Sequence, residues 1–227
     1  MKRSITVSAI LLMLATAGYG GKPCAFNTSW IPVKPQVSTY LSTSKQGNGL
    51  YQVSLMKSDS GIEVYINIIS PGFTKTVCGK MTLDMQPLES TAKIIVGGGV
   101  TMFTKCGYDN NSLTIKTVIA PYNRTVADTL RFPDRVIDFS QVPLLVRTLQ
   151  LDSASQYSFA SLNPNTNAIV PLTIKTIGEG RIMDADCYEV EMNDFEGRAI
   201  YWVEKGQQHR VMKIEEPGVN RRSELIP

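Results

Sequence analysis

The sequence predicts a mainly β fold, an antiparallel meander with a short helix packed on it. Two observations carry this. Ile, Val and Thr together make up 56 of 227 residues, and their branching at Cβ stiffens χ1 in a way that suits a pleated surface better than a helix. Short runs of alternating apolar and polar residues recur along the chain and stop at Gly, Pro, Asn or Asp, the period of half-buried strands closed by tight turns. With 43% hydrophobic and 19% charged residues and a formal net charge of +3, the chain is neither a disordered segment nor a polyelectrolyte.

The first segment reads as an address. Lys2 and Arg3 give a positive start, Ile5 to Leu14 form a short apolar run, and Ala15-Thr16-Ala17 supply a small-x-small cleavage pattern. Residues 1–17 are therefore expected to be a secretory signal peptide, cut between residues 17 and 20, and residues 18–227 a single β-rich domain of periplasmic location. The apolar run is shorter than the roughly 20 residues that span a bilayer, so no transmembrane segment is expected. Cleavage after Ala17 leaves 210 residues with 21 basic and 20 acidic side chains, which argues against nucleic acid as a partner. Gly21-Lys22-Pro23 before Cys24 lacks the apolar and small residues of a lipid-attachment site.

After an irregular stretch around Pro32 and Pro35, Tyr51, Val53 and Leu55 alternate with Gln52 and Ser54, Lys57 to Gly61 turns, and Ile62, Val64, Ile66 and Ile68 return on one face. This is a hairpin, ended by Pro71-Gly72. Further strands are expected at 74–83, 93–96, 100–105 and 112–119, with Gly97-Gly98-Gly99 as a bend in the sheet rather than a phosphate loop, since no helix follows it. The same rhythm resumes at 156–162, 169–177, 187–192, 198–204, 210–215 and 221–225. Between these two groups, Val142, Leu145, Val146 and Leu149 fall at helical spacing, Ser140 is placed to cap the helix, and Pro143 is tolerated in its first turn.

Cys24, Cys78, Cys106 and Cys187 form an even set in an exported chain, where disulfides are permitted. Cys78 and Cys106 lie in neighbouring strand-like stretches and are the expected pair; Cys24 with Cys187 stays open. One histidine, His209, and no cysteines at ligand spacing leave zinc, other metals and a Ser-His-Asp arrangement without support, so neither a cofactor nor an enzymatic activity is expected. The acidic stretch from Asp184 to Glu196 alternates with Tyr188, Val190 and Met192 as a solvated strand face does.

Leu144 to Leu149, Ile174 to Glu179, Cys187 to Glu191, Tyr201-Trp202-Val203-Glu204, Val211 to Glu215 and the closing Glu224-Leu225 give an informative order of elements. It resembles a family of exported bacterial domains of unknown function that share a leucine-arginine helix, a glycine-glutamate hairpin, a tryptophan strand and a terminal glutamate-leucine strand. The resemblance covers the last third to half of the chain and implies a fold akin to the Lol-type periplasmic lipoprotein carriers: a strongly curved antiparallel sheet, an incomplete barrel, with one or two short helices on its concave side. It hands over no catalytic residue. An unclosed curved sheet leaves an apolar concavity, so the expected role is non-enzymatic carriage or binding of a hydrophobic lipid or acyl ligand. The alternative is a structural or partner-binding cell-envelope protein with no small-molecule ligand. Val142, Leu145, Val146, Leu149 and Trp202 are the candidate ligand-binding residues.

Overall fold

The computed structural model describes residues 26–132, 135–206 and 209–226. The expected signal peptide and Cys24 lie outside the described residues.

Eight strands follow one another: β1 (Gln36–Ser44), β2 (Gly47–Ser58), β3 (Gly61–Ser70), β4 (Phe73–Met81), β5 (Pro87–Val96), β6 (Gly99–Asp109), β7 (Ser112–Ile119) and β8 (Arg124–Arg131). A two-residue strand β9 (Val136–Ile137) and the helix α1 (Val142–Thr148) come next. A second meander comprises β10 (Gln156–Asn163), β11 (Ala168–Ile182), β12 (Ala185–Asp194), β13 (Gly197–Glu204), β14 (Val211–Glu216) and β15 (Arg221–Leu225). All belong to one fifteen-stranded sheet in the order β8-β7-β6-β5-β4-β3-β2-β1-β15-β14-β13-β12-β11-β10-β9. The two meanders meet where β1 pairs with β15, Tyr40 opposite Leu225 and Ser42 opposite Ser223. Every ladder is antiparallel except the short one between β9 and β10.

Chain connectivity requires the sheet to be rolled. Fourteen interstrand steps separate the edge strands β8 and β9, about 67 Å if the sheet were flat. Arg131 and Val136 are five residues apart, a reach of no more than about 18 Å. No ladder joins β8 to β9 among the described residues, so the curved sheet stays open and does not close into a barrel.

Most of the expected strands are present, several longer than expected; β5 begins at Pro87 and β6 runs on through Tyr108. Gly97 and Gly98 adopt φ of +58° and +84°, the paired left-handed conformation of a two-residue hairpin. The expected bend is thus the β5–β6 turn. β1, β8 and β9 lay outside the expected pattern. In β8, Arg124 and Asp128 share a face with Val126 and Leu130, which breaks the apolar alternation.

The segment between β9 and α1 is pinned by a buried carboxylate. Ser90 Oγ donates to Asp138 Oδ2 at 2.7 Å, Tyr108 OH donates to the same oxygen, and the Ser140 N–H donates to Oδ1 at 2.7 Å. Burial nevertheless raises the Asp138 carboxyl above its ordinary range, with these hydrogen bonds pulling the other way. Gln141 completes the anchor: its Oε1 accepts the Asp138 N–H and its Nε2 donates to the Met85 carbonyl, each at 2.7 Å. This arrangement displaces Ser140 from the expected cap. Gln141 stands at the N-cap with no side-chain cap bond, while the Ser140 side chain lies against Gly79, where a Cβ would come within 2.1 Å of Ser140 Oγ. Leu144, Leu145 and Val146 are fully buried, and Leu149 just past the helix nearly so.

The expected Cys78–Cys106 disulfide is not formed, and both thiols are free, as is Cys187. β5 intervenes: Cys78 on β4 pairs with Thr91, and Cys106 on β6 pairs with Ser90. Cross-strand partners share a face while Ser90 and Thr91 point to opposite faces, so the two cysteines lie two strands apart on opposite sides of the sheet. A separation of about 10 Å exceeds what a disulfide bridges.

Candidate functional site

A cavity of about 800 Å³ opens between strands β2 to β4 and strands β13 to β15. Its walls follow from register. Tyr51 on β2 lies opposite Ile68 on β3, Ile66 lies opposite Val77 on β4, and Tyr201 on β13 lies opposite Ile214 on β14, so all of these side chains point to one face. Rolling the sheet turns the two groups toward each other. Phe139, Val142 and Pro143 close the cavity on the side of α1. Pro143, Leu144 and Arg147 also line a narrow gap together with Tyr40, Tyr51, Val53 and Tyr201. Arg147 stacks its guanidinium 3.8 Å from the centre of the Trp30 ring and donates from Nε to the His209 carbonyl at 3.1 Å. Desolvation pushes its pKa down to about 10, so it remains charged at neutral pH.

The mouth is polar. Lys75 Nζ on β4 pairs with Glu196 Oε1 in the β12–β13 turn at 2.7 Å, joining strands that a flat sheet would hold far apart. Arg221 forks onto both carboxylate oxygens of Glu216. Burial lowers the Arg221 pKa, but the Glu216 pairing outweighs it and the net shift is upward. Asp194 Oδ1 caps the β12–β13 turn by accepting the N–H groups of Glu196 at 2.7 Å and Gly197 at 3.2 Å, yet burial keeps its carboxyl above the ordinary range. Tyr51 and Tyr201 on the walls are pushed well above the usual phenol range by burial and are neutral at physiological pH.

Of the five residues singled out from sequence, Val142 alone lines this cavity. Leu145, Val146 and Leu149 are buried in the core. Trp202 occupies the face opposite to Tyr201 and Val203, half-buried, with Lys213 Nζ 4.0 Å from its ring centre. The alternation of β13 decides this: Tyr201 and Val203 take the inner face, so Trp202 takes the outer. The wall residues Ile66 and Ile68 stood on one face of the sequence-derived hairpin; Tyr51 had the same signal. Phe139, Tyr201 and Ile214 become neighbours of these residues only when the sheet rolls.

Among the described residues no cluster of three or more His, Cys, Asp or Glu side chains lies close enough to hold a metal ion, and no helix is long and apolar enough to cross a membrane. No family model matches the chain, and no curated protein matches it. Among solved structures, a DUF1329 family protein from Desulfovibrio piger is similar over 87% of this chain and 85% of its own, at 11% identity and a TM-score of 0.29.

Proposed function

We propose that the protein is an exported, periplasmic, non-enzymatic binding module whose cavity holds a hydrophobic ligand of the lipid or acyl type. The observation that carries this is the cavity of about 800 Å³, walled by Tyr51, Ile66, Ile68, Phe139, Tyr201 and Ile214, with charged groups in its lining that are largely paired with one another. Ligand pockets typically measure about 300–1,000 Å³, mostly apolar with a few polar groups that orient the occupant. In this reading α1 lies on the concave side of the roll, as in the Lol-type carriers, and supplies the closed end through Val142 and Pro143. The mouth carboxylates suit a positioning role better than proton transfer, because Glu196 and Glu216 are each engaged by a cation.

Native mass spectrometry of the purified protein, followed by lipid extraction, tests the proposal, together with titration of a fluorescent fatty-acyl probe. The wild type is expected to bind the probe. Ile68→Trp, which fills the cavity from a half-buried position, is expected to weaken binding at least tenfold with little change in the denaturation midpoint. A wild type that neither co-purifies with a ligand nor binds the probe overturns it and favours the envelope-protein alternative, which draws on the burial of Leu145, Val146 and Leu149 in the core and on the edge of β8, which no strand among the described residues covers.

A further inference from the structure

The sheet ends on β8, eight residues long, with six of them exposed and only Val126 and Leu130 half-buried. A strand edge presents backbone N–H and C=O groups that another strand can complete; here the Thr129 N–H is already taken by Asp128 Oδ1 at 2.8 Å, so the groups left for a partner are sought at residues 124–128. Charges decide which strand fits. Pairing with β7 sets Arg124 opposite Ile119, Val126 opposite Thr117 and Asp128 opposite Ile115, so Arg124, Val126 and Asp128 share one face. Neither Arg124 nor Asp128 enters an ion pair among the described residues.

We propose that the β8 edge pairs antiparallel with β8 of a second copy, about a two-fold axis through Val126, so that Arg124 of each copy lies opposite Asp128 of the other. This register is self-complementary, as an isologous two-fold contact requires. It places two unlike-charge pairs on either side of a Val126–Val126 contact, and cross-strand unlike charges stabilise while like charges repel. On the other face only Thr125 and Ala127 meet, and neither obstructs the approach. The pairing stops at Arg124, because Asn123 before it is left-handed and Ala120–Tyr122 form a 3-10 turn. Within residues 124–128 the other centres lose these pairs: about Arg124 or Asp128 the two-fold sets like charges face to face, and about Thr125 or Ala127 it sets Arg124 opposite Val126 or Leu130. The Val126-centred register is the one that sets both Arg124–Asp128 pairs opposite each other.

Five paired residues on each strand make a small interface, so sedimentation velocity is run up to about 0.5 mM. The wild type is expected to dimerise reversibly, more weakly at high salt. Asp128→Arg sets arginine against arginine across the two-fold, and Arg124→Asp sets two aspartates together; each variant alone is expected to lose at least tenfold in dimerisation. Mixed one to one, they are expected to form a heterodimer within about threefold of the wild-type affinity, which also shows that both variants remain folded. A wild type that stays monomeric at the highest concentration overturns the proposal. So do single variants that dimerise as the wild type does, or a mixture that fails to recover pairing.

Discussion

Asp138 shows how one residue can fix a segment of chain. Its two oxygens accept from Ser90, Tyr108 and the Ser140 backbone, so three donors from two strands and the following turn depend on a single carboxyl. Asp138→Ala leaves those donors without their acceptor, and a buried unsatisfied donor costs about 1–3 kcal/mol; a loss of about 3 kcal/mol in urea unfolding is expected. The pH dependence has a definite sign. Burial raises the native Asp138 pKa above its unfolded value of about 3.9, so the native state binds the proton more tightly. Its contribution is complete below about pH 4 and declines as pH rises through the native value. The stability gap between wild type and Asp138→Ala is therefore expected to be widest near pH 4 and to narrow toward pH 7; a gap that widens with pH would reverse the assignment.

At the scale of elements, α1 and β13 show where periodicity points correctly and where it stops. The helical spacing of Val142, Leu145, Val146 and Leu149 marks the stripe that is buried, but the stripe divides: Val142 reaches the cavity while the other three fill the core. Leu145→Ala is expected to cost about 2–5 kcal/mol, the range for deleting a fully buried leucine side chain. Acyl-probe affinity, measured under conditions where the variant stays folded, is expected to change little. Trp202→Ala is expected to cost less than the roughly 3–5 kcal/mol of a buried tryptophan, because its ring lies half-exposed over Lys213 on the outer face. Chemical denaturation of the two variants checks both values; a loss of about 3–5 kcal/mol or more for Trp202→Ala would place the ring in the core.

At the scale of the whole molecule, the consequence of rolling is the contact between Lys75 and Glu196, which lie on different meanders and 121 residues apart in sequence. Seven interstrand steps between β4 and β12 would hold the two strands about 34 Å apart in a flat sheet. A zero-length carbodiimide cross-linker is expected to join Lys75 to Glu196 within one molecule of native protein, with the cross-linked peptides identified by mass spectrometry. The bond should be absent when the reaction is run in urea. Its absence from the native monomer would contradict the rolled form that assembles the cavity.

By itself the sequence determined the strand content, most of the hairpins and the presence of one helix between two meanders, because alternation, turn residues and helical spacing are local properties carried by a few neighbouring residues. The same locality explains the misses. β1 and β8 are polar enough that alternation is faint, and Cys78 and Cys106 read as partners because β5, which begins at Pro87 rather than Lys93, was only partly legible between them. Which face each strand turns inward, and which residues 100 or more positions apart share a wall, depended on register and curvature: Tyr51 and Ile68 meet Tyr201 and Ile214 only because β1 pairs with β15 and the sheet then rolls. Register is a choice among pairings that differ by the burial of an entire face, and curvature sums small twists over fifteen strands. Both are cooperative quantities of the folded whole, and so the cavity, the outward turn of Trp202 and the open edge at β8 were decided by tertiary structure alone.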